Sequence, residues 1–285
     1  PRYVSAREHP LRVYAYMEIA IGVFGLLILF GVPAFSNVYT AWGGSGPVGL
    51  LFRAIAASIC LLPPTILMGA TLPAMSRWVE TSPTGVAWLG YFYGGNTGGA
   101  VIGSLLAGFY LLRVHDMAVA TYVAVALNLA VGAVAILLAR ATPYEAPVAV
   151  REKVRPVAGS WAVYVAIALS GMTALASQVI WTRTLSLLFG ATVYTFSLIL
   201  AVFLFGIGIG SSIGSVMARG LERPRVALGW VQMLLCGAIA WAAYTLALSL
   251  PYWPIDPSIA TSPWYNFPLD LARAFWVVLP ASILW

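Results

Sequence analysis

Apolar residues dominate the chain in long runs, and short polar stretches separate these runs along its whole length. An apolar run of about 18 residues or more is long enough to cross the hydrocarbon core of a bilayer as a helix. The runs lack the alternation of apolar and polar residues that marks membrane strands, which excludes a β-barrel. The pattern therefore predicts an all-α, polytopic transmembrane helix bundle. Its eight predicted spans cover residues 12–32, 49–75, 86–112, 117–139, 160–188, 192–217, 226–250 and 268–285.

One sequence pattern occurs twice, about 214 residues apart. In each copy a proline, Pro10 or Pro224, precedes by eight positions a polar residue within an apolar run, Glu18 or Gln232. A shared Leu-Pro segment in the second and eighth spans extends the match. Internal repeats are a common basis of polytopic membrane folds. We therefore expect spans one and two to correspond to spans seven and eight.

The repeat divides the chain into three parts. Residues 1–139 form a first membrane repeat, residues 140–159 a proline-containing linker of mixed charge, and residues 160–285 a second membrane repeat. Spans three to six have no partner copy within the sequence. We therefore expect two more helices ahead of the chain and at least two behind it. The parent architecture would then be a parallel internal repeat of roughly six plus six helices (6+6).

Prolines lie within two of the predicted spans. Pro63, Pro64 and Pro73 fall in the second span, and Pro280 falls at the matching place in the last. Proline removes a backbone hydrogen-bond donor, and its ring crowds the preceding helical turn. We therefore expect the second span to be kinked or broken in the middle of the membrane.

Composition agrees with a membrane protein, and charge gives it an orientation. Hydrophobic residues make up 61% of the chain and charged residues only 8%, which is too little charge for a soluble domain of this length. The basic residues gather in alternate connections, including the linker 140–159 and the loop 218–225. The positive-inside rule places these connections in the cytoplasm. Because the arginines lie at helix ends and not in one patch, we expect membrane lipid as a partner and no nucleic acid.

Two predicted spans carry glycines at four-residue spacing. One has Gly94 and Gly98, and the other has Gly206, Gly210 and Gly214. Glycines on one face of a helix let backbones approach closely where lipid provides no hydrophobic drive for association. We therefore expect both stripes to pack helices together. A dinucleotide-binding loop is excluded at the second stripe, because no strand precedes it and it lies within a span.

Four polar residues within the spans are candidate sites: Glu18, Gln178, Arg183 and Gln232. An intramembrane carboxylate is costly, so it is usually paired or functional. Glu18 is therefore either a proton or substrate site or a member of a buried hydrogen bond or ion pair near the interface, and the amide at Gln232 in the other copy favours the second role. Arg183 either snorkels to the outer interface, binds an oxygen of a neighbouring helix, or binds a ligand.

The remaining ionisable residues indicate no chemistry of their own. Arg53 and Arg273 begin the second and last spans, and we expect them to be structural anchors. His9 and His115 are isolated near helix ends, whereas a metal site needs several ligands at suitable spacing. The chain has no phosphate-binding loop and no nucleophile elbow. We therefore expect no catalytic residue, no metal site and no cofactor in this chain.

Four stretches together carry a resemblance to a known family: Ser170–Gly190, Tyr194–Ser211, Leu61–Pro73 and Gly94–Gly103. They resemble the bacterial spermidine synthase-like membrane proteins, in which a polytopic membrane part precedes an aminopropyltransferase domain. The likeness covers nearly the whole chain and departs at Gln178, where the family usually has a glutamate. It implies a location in the bacterial inner membrane and a link to polyamine biosynthesis.

The resemblance implies a scaffold and not an activity of these 285 residues. The aminopropyltransferase domain, with its decarboxylated S-adenosylmethionine site and polyamine-binding acidic residues, does not occur within them. We therefore expect a membrane scaffold that anchors a cytoplasmic transferase domain lying after further helices. Two other functions stay open. One is a secondary transporter, since parallel repeats with proline-broken helices suit alternating access. The other is a non-catalytic accessory subunit of a larger membrane complex.

Overall fold

The computed structural model describes residues 8–42, 46–79, 85–144, 160–218, 221–253 and 263–285. Every regular element within these residues is helical, as expected where backbone groups have no water to bind and must pair within their own segment. We number the long helices in chain order. They are α1 (Pro10–Trp42), α2 (Pro47–Val79), α3 (Gly85–Leu106), α4 (Met117–Ala141), α5 (Ser160–Phe189), α6 (Val193–Ala218), α7 (Pro224–Tyr244) and α8 (Pro263–Leu284).

Eight helical stretches of the described residues are long and apolar enough to cross a membrane, so the chain is a multi-pass helical membrane protein. The all-α class and the number of spans are thereby confirmed. The agreement reflects the local origin of the signal, since hydropathy over a window sets which helices can lie in lipid. The stretches are Pro10–Pro33, Pro47–Trp78, Phe92–Val114, Met117–Ala141, Trp161–Phe189, Val193–Met217, Pro224–Tyr252 and Asn266–Leu284.

The expected break at the mid-membrane prolines does not occur. Helix α2 runs without interruption through Pro63, Pro64 and Pro73, and α8 continues through Pro280. The fixed backbone angle of proline is compatible with a helix, and in lipid the neighbouring peptide groups have no partner other than each other. A bend at these positions stays a prediction.

Helical geometry changes instead at two other places, one without a proline and one that includes Pro251. Helix α3 continues into a π-helical turn, Ala107–Leu111, and then into Leu112–Val114. Helix α7 continues into a second π-helical turn, Thr245–Ser249, followed by a 3-10 turn, Leu250–Tyr252. π-Helical turns are rare and occur often at functional sites, so these two segments mark places to search for one.

The contacts of the chain divide it into two compact units. Unit 1 consists of Pro1–Tyr93 and His115–Arg151, and unit 2 consists of Gly94–Val114 and Glu152–Trp285. The second half of α3 thus packs with α5 to α8. The repeat boundaries proposed from sequence stay a prediction, and residues 145–159 of the expected linker lie outside the described residues.

Unit 1 is held by a close approach of α1 and α4. Gly132 of α4 makes this approach possible, because a Cβ there would lie 2.9 Å from Cγ1 of Ile19 and 3.2 Å from the carbonyl oxygen of Ala15. Ala15 is completely buried, and Leu11 is nearly so. Small residues at a helix contact are the usual way in which membrane helices gain packing contacts.

The core of unit 2 lies where α6 packs on α8. Leu198 and Ile199 of α6 and Val277 and Val278 of α8 are completely buried. Trp181 of α5 adds to the same cluster. These side chains fill the space between the helices and fix the position of α8 relative to the start of α6.

The glycine stripes differ in what they contact. A Cβ on Gly206 would meet the side chain of Ser282, and one on Gly210 would meet the backbone carbonyl of Ile283. Both glycines therefore permit α6 to lie directly against α8. At three other stripe positions, among the described residues, no heavy atom lies within 4 Å of where a Cβ would be: Gly94, Gly98 and Gly214.

Candidate functional site

A polar cluster with a buried arginine joins the first turn of α6 to the first half of α8 within unit 2. Asp270 and Arg273 lie three positions apart on α8, which puts both side chains on one face of the helix. Nη1 of Arg273 is 3.5 Å from Oδ1 of Asp270. The hydroxyl of Tyr194 on α6 donates to Oδ2 of the same carboxylate at 3.4 Å. Asp270 is therefore shared between a cation on its own helix and a phenol on another.

Arg273 is buried to an extent that is unusual for arginine. Its side chain is 6% exposed and that of Asp270 is 14% exposed. Long charged side chains are almost never fully buried unless they are paired. An ionisable residue within a membrane span is therefore a candidate functional residue. Arg273 is paired with the carboxylate of Asp270 on its own helix.

One edge of the guanidinium group of Arg273 has no partner among the described residues. Nε and Nη2 are buried and have no hydrogen-bond partner among the described residues. The N–H bonds of these two nitrogens point the same way along one side of the planar group. This edge fits two oxygens of a carboxylate or phosphate in a bidentate arrangement. Each buried donor without a partner costs about 1–3 kcal/mol, so an oxyanion there would remove a real penalty.

Aromatic rings cover Tyr194 on one side. Phe109, in the π-helical turn after α3, lies 4.9 Å from the Tyr194 ring between centroids, in an edge-to-face arrangement. Phe267 of α8 packs on Phe109 at 5.4 Å. The neighbouring Gly108 permits this contact, because a Cβ there would meet the side chain of Ser197. The π-helical turn thus brings an aromatic ring to the polar cluster.

The turn between α5 and α6 positions Tyr194. Gly190 has a φ of +92°, a left-handed conformation that side chains other than glycine rarely adopt. The hydroxyl of Thr195 donates to the carbonyl oxygen of Gly190 at 2.8 Å, and Thr195 is completely buried. This bond ties the first turn of α6 to the end of α5 and leaves little freedom at Tyr194.

The four polar candidates from the sequence are divided between the two units. Glu18 lies in unit 1, half-buried on α1, where the Tyr14 hydroxyl of the preceding turn donates to it. The amide of Gln232 donates to the hydroxyl of Ser170 at 3.4 Å, which joins α7 to α5. Gln178 is half-buried and Arg183 is exposed. Glu18 thus contacts a residue of its own helix, whereas Gln232 links two helices of unit 2.

Sequence reasoning treated Arg273 as an anchor and did not single out Asp270 or Tyr194. One signal was available in the repeat. Asp270 lies ten residues before Pro280, and Arg53 lies ten residues before Pro63. In the repeat predicted from sequence, these equivalent positions would carry opposite charges, which is a difference that could have drawn attention to Asp270.

The described residues contain no group of three or more His, Cys, Asp or Glu side chains that could hold a metal ion. The cluster of Tyr194, Asp270 and Arg273 is suited instead to binding an oxyanion beside a neutralised pair. Comparison of the chain with protein-family models, curated proteins and solved structures found no match.

Proposed function

We propose that the chain is the membrane-embedded scaffold of a spermidine synthase-like protein, which anchors a cytoplasmic aminopropyltransferase domain outside these 285 residues. The proposal rests on one observation: residues of the stretches that resemble this family pack the helices of unit 2 together. Trp181 is 4% exposed in the core of unit 2, and Gly206 and Gly210 bring α6 onto α8. These residues build helix packing, which is the work of a scaffold.

The finer architecture and location belong to the same proposal. The six-plus-six parallel repeat is supported by the matching segments that begin at Pro10 and Pro224. A bacterial inner membrane, with the linker 140–159 in the cytoplasm, is supported by the alternation of basic connections along the chain.

Two measurements test the scaffold function. The detergent-purified chain, incubated with putrescine and decarboxylated S-adenosylmethionine, should form no spermidine, and formation of spermidine would contradict the proposal. The reading frame that encodes the chain should continue into further apolar helices and then into a soluble domain with a glycine-rich cofactor loop between a strand and a helix. A frame without such a domain would also contradict it.

A second candidate function, secondary transport, is favoured by the buried pair of Arg273 and Asp270. Charged pairs in membrane spans frequently lie on substrate or ion pathways. The open edge of Arg273 specifies the class of solute, one that carries a carboxylate or phosphate group. The carboxylate of Glu18 is the best proton-coupling candidate in unit 1, because it lies within a span and is half-buried.

Uptake into proteoliposomes tests this alternative with a matched pair of variants. Arg273→Lys keeps the charge and loses the bidentate edge, so uptake of a carboxylate- or phosphate-bearing solute should fall about tenfold or more. Arg113→Lys changes an exposed arginine outside the cluster and should leave uptake unchanged. Loss of uptake in Glu18→Gln would support proton coupling. If the wild-type chain takes up no solute of this class, the transport function is wrong.

A further inference from the structure

A polar cleft opens at the place where α1 begins and α4 ends, within unit 1. Its volume is about 690 Å³, far above the roughly 30 Å³ that one water molecule occupies in the liquid. Its described lining comprises Glu8, His9, Arg12 and Tyr16 on one side and residues 139–144 on the other. The cleft is therefore large enough for a headgroup-sized ligand.

His9 fixes the two walls of the cleft to each other. The backbone N–H of Leu11 donates to Nδ1 of His9 at 3.3 Å, which makes Nδ1 the acceptor and places the proton on Nε2. Nε2 then donates to the carbonyl oxygen of Thr142 at 3.0 Å. The imidazole also packs on Tyr144, with ring centroids 5.3 Å apart. Both ring nitrogens are used, so His9 shapes the cleft and does not bind its ligand.

Two guanidinium groups supply the charge of the cleft. Arg12 belongs to the first turn of α1 and Arg140 to the last turn of α4. Both are exposed, and neither forms an ion pair within the part of the chain that the structure describes. Glu8 is the one carboxylate in the described lining. The described lining therefore carries two positive charges and one negative charge.

The position of the cleft relative to the spans indicates its surroundings. Arg12 and Arg140 lie at the ends of the apolar stretches Pro10–Pro33 and Met117–Ala141. The cleft thus opens at a boundary between membrane and water. Basic pockets between membrane helices at such boundaries bind phosphate-containing headgroups, and arginine binds phosphate through two parallel N–H bonds.

We propose that this cleft binds the phosphate of an anionic phospholipid headgroup, with Arg12 and Arg140 as its ligands. The acyl chains would remain in the membrane beside α1 and α4, which requires only the headgroup to enter. The carboxylate of Glu8 would repel the phosphate and so lower the affinity of the cleft for the lipid. The site would exist whatever the wider function of the chain.

Lipid binding by the complete chain tests the proposal. The purified chain is titrated with phosphatidylglycerol in nanodiscs of otherwise zwitterionic phosphatidylcholine, and bound lipid is counted by native mass spectrometry. Each of Arg12→Gln and Arg140→Gln should weaken phosphatidylglycerol binding about fivefold, and the double variant about 25-fold. Glu8→Gln should tighten binding. Arg113→Gln, an exposed arginine outside the described lining of the cleft, is the matched control and should bind as the wild type.

Inorganic phosphate distinguishes the two sources of the ligand group. If phosphate at low millimolar concentration displaces phosphatidylglycerol from the wild type completely, the cleft serves a soluble phosphate and the lipid assignment is overturned. If the double variant elutes as a folded monodisperse protein and still binds phosphatidylglycerol like the wild type, the site itself is overturned. If the double variant does not fold, the two single variants decide, and wild-type binding of phosphatidylglycerol by both would overturn the site.

Discussion

Nη1 of Arg273 lies 3.5 Å from Oδ1 of Asp270, one turn earlier on the same membrane helix, and Arg273 is buried whereas Asp270 is partly buried. This distance is at the long end of the hydrogen-bond range, so the pair is a loose electrostatic contact and not a tight bidentate bridge. The pair is nonetheless the main source of compensation that Arg273 has among the described residues. Removing one partner measures how much the pair contributes to the free energy of unfolding.

Asp270→Asn should strongly destabilise the protein. The substitution keeps the shape of the side chain and removes its charge, which leaves the guanidinium of Arg273 buried without an anion. The expected loss in the free energy of unfolding is about 3–5 kcal/mol. Titration of the purified chain with sodium dodecyl sulfate in mixed micelles measures this free energy.

The double variant Asp270→Asn/Arg273→Met is the control for that loss. It removes both charges, so it should recover much of the stability that Asp270→Asn loses, and the double-mutant cycle should show a coupling energy above about 1 kcal/mol. Additive effects would mean that the two side chains do not interact.

His9→Asn and His9→Ala should destabilise unit 1 to different degrees. Asparagine can still accept from an N–H of the first turn of α1, but it is too short to replace the bond to Thr142, so we expect a loss of about 1 kcal/mol. Alanine loses both bonds and should cost about 2 kcal/mol. The same detergent titration measures both values, and equal losses would show that only the contact with Thr142 contributes.

The membrane spans could be predicted from sequence because hydropathy is a local property. Residues 117–139 were expected as a span and Met117–Ala141 is observed. The polar cluster could not be predicted in the same way. Asp270 lies in the first half of an apolar helix, and its bond to Tyr194 spans 76 residues of sequence. Only the packing of α6 on α8 brings the two together.

The glycine-rich segment shows the same limit. Gly206 and Gly208 are both small residues in the sequence, but they lie against different helices. Gly206 faces Ser282 on α8, whereas a Cβ on Gly208 would lie 2.8 Å from Cγ2 of Thr97 on α3. An α-helix has 3.6 residues per turn, so residues two positions apart lie on nearly opposite faces. The sequence alone does not specify which helix packs against each face. The π-helical turn Ala107–Leu111 contains no proline that would predict a change in helical geometry.

Labelling of single cysteines should reveal the orientation of the spans. In a background with Cys60→Ala and Cys236→Ala, Val48→Cys should react with a membrane-impermeant maleimide in intact cells. Glu222→Cys should react only after permeabilisation, because its loop carries the basic residues that favour the cytoplasm. Both positions are exposed. Reaction of Glu222→Cys in intact cells would reverse the proposed orientation.

Gly210→Ala should destabilise unit 2, whereas Gly98→Ala should not. A Cβ on Gly210 would collide with the backbone carbonyl of Ile283, so α6 and α8 must separate, at an expected cost of about 1–3 kcal/mol. Gly98 has open space at the same position, and alanine there should be neutral or should stabilise the helix by up to about 1 kcal/mol. Detergent titration of the two variants compares identical chemical changes in two packing environments. An equal loss at both positions would show that glycine acts through helix propensity and not through the approach of α6 to α8.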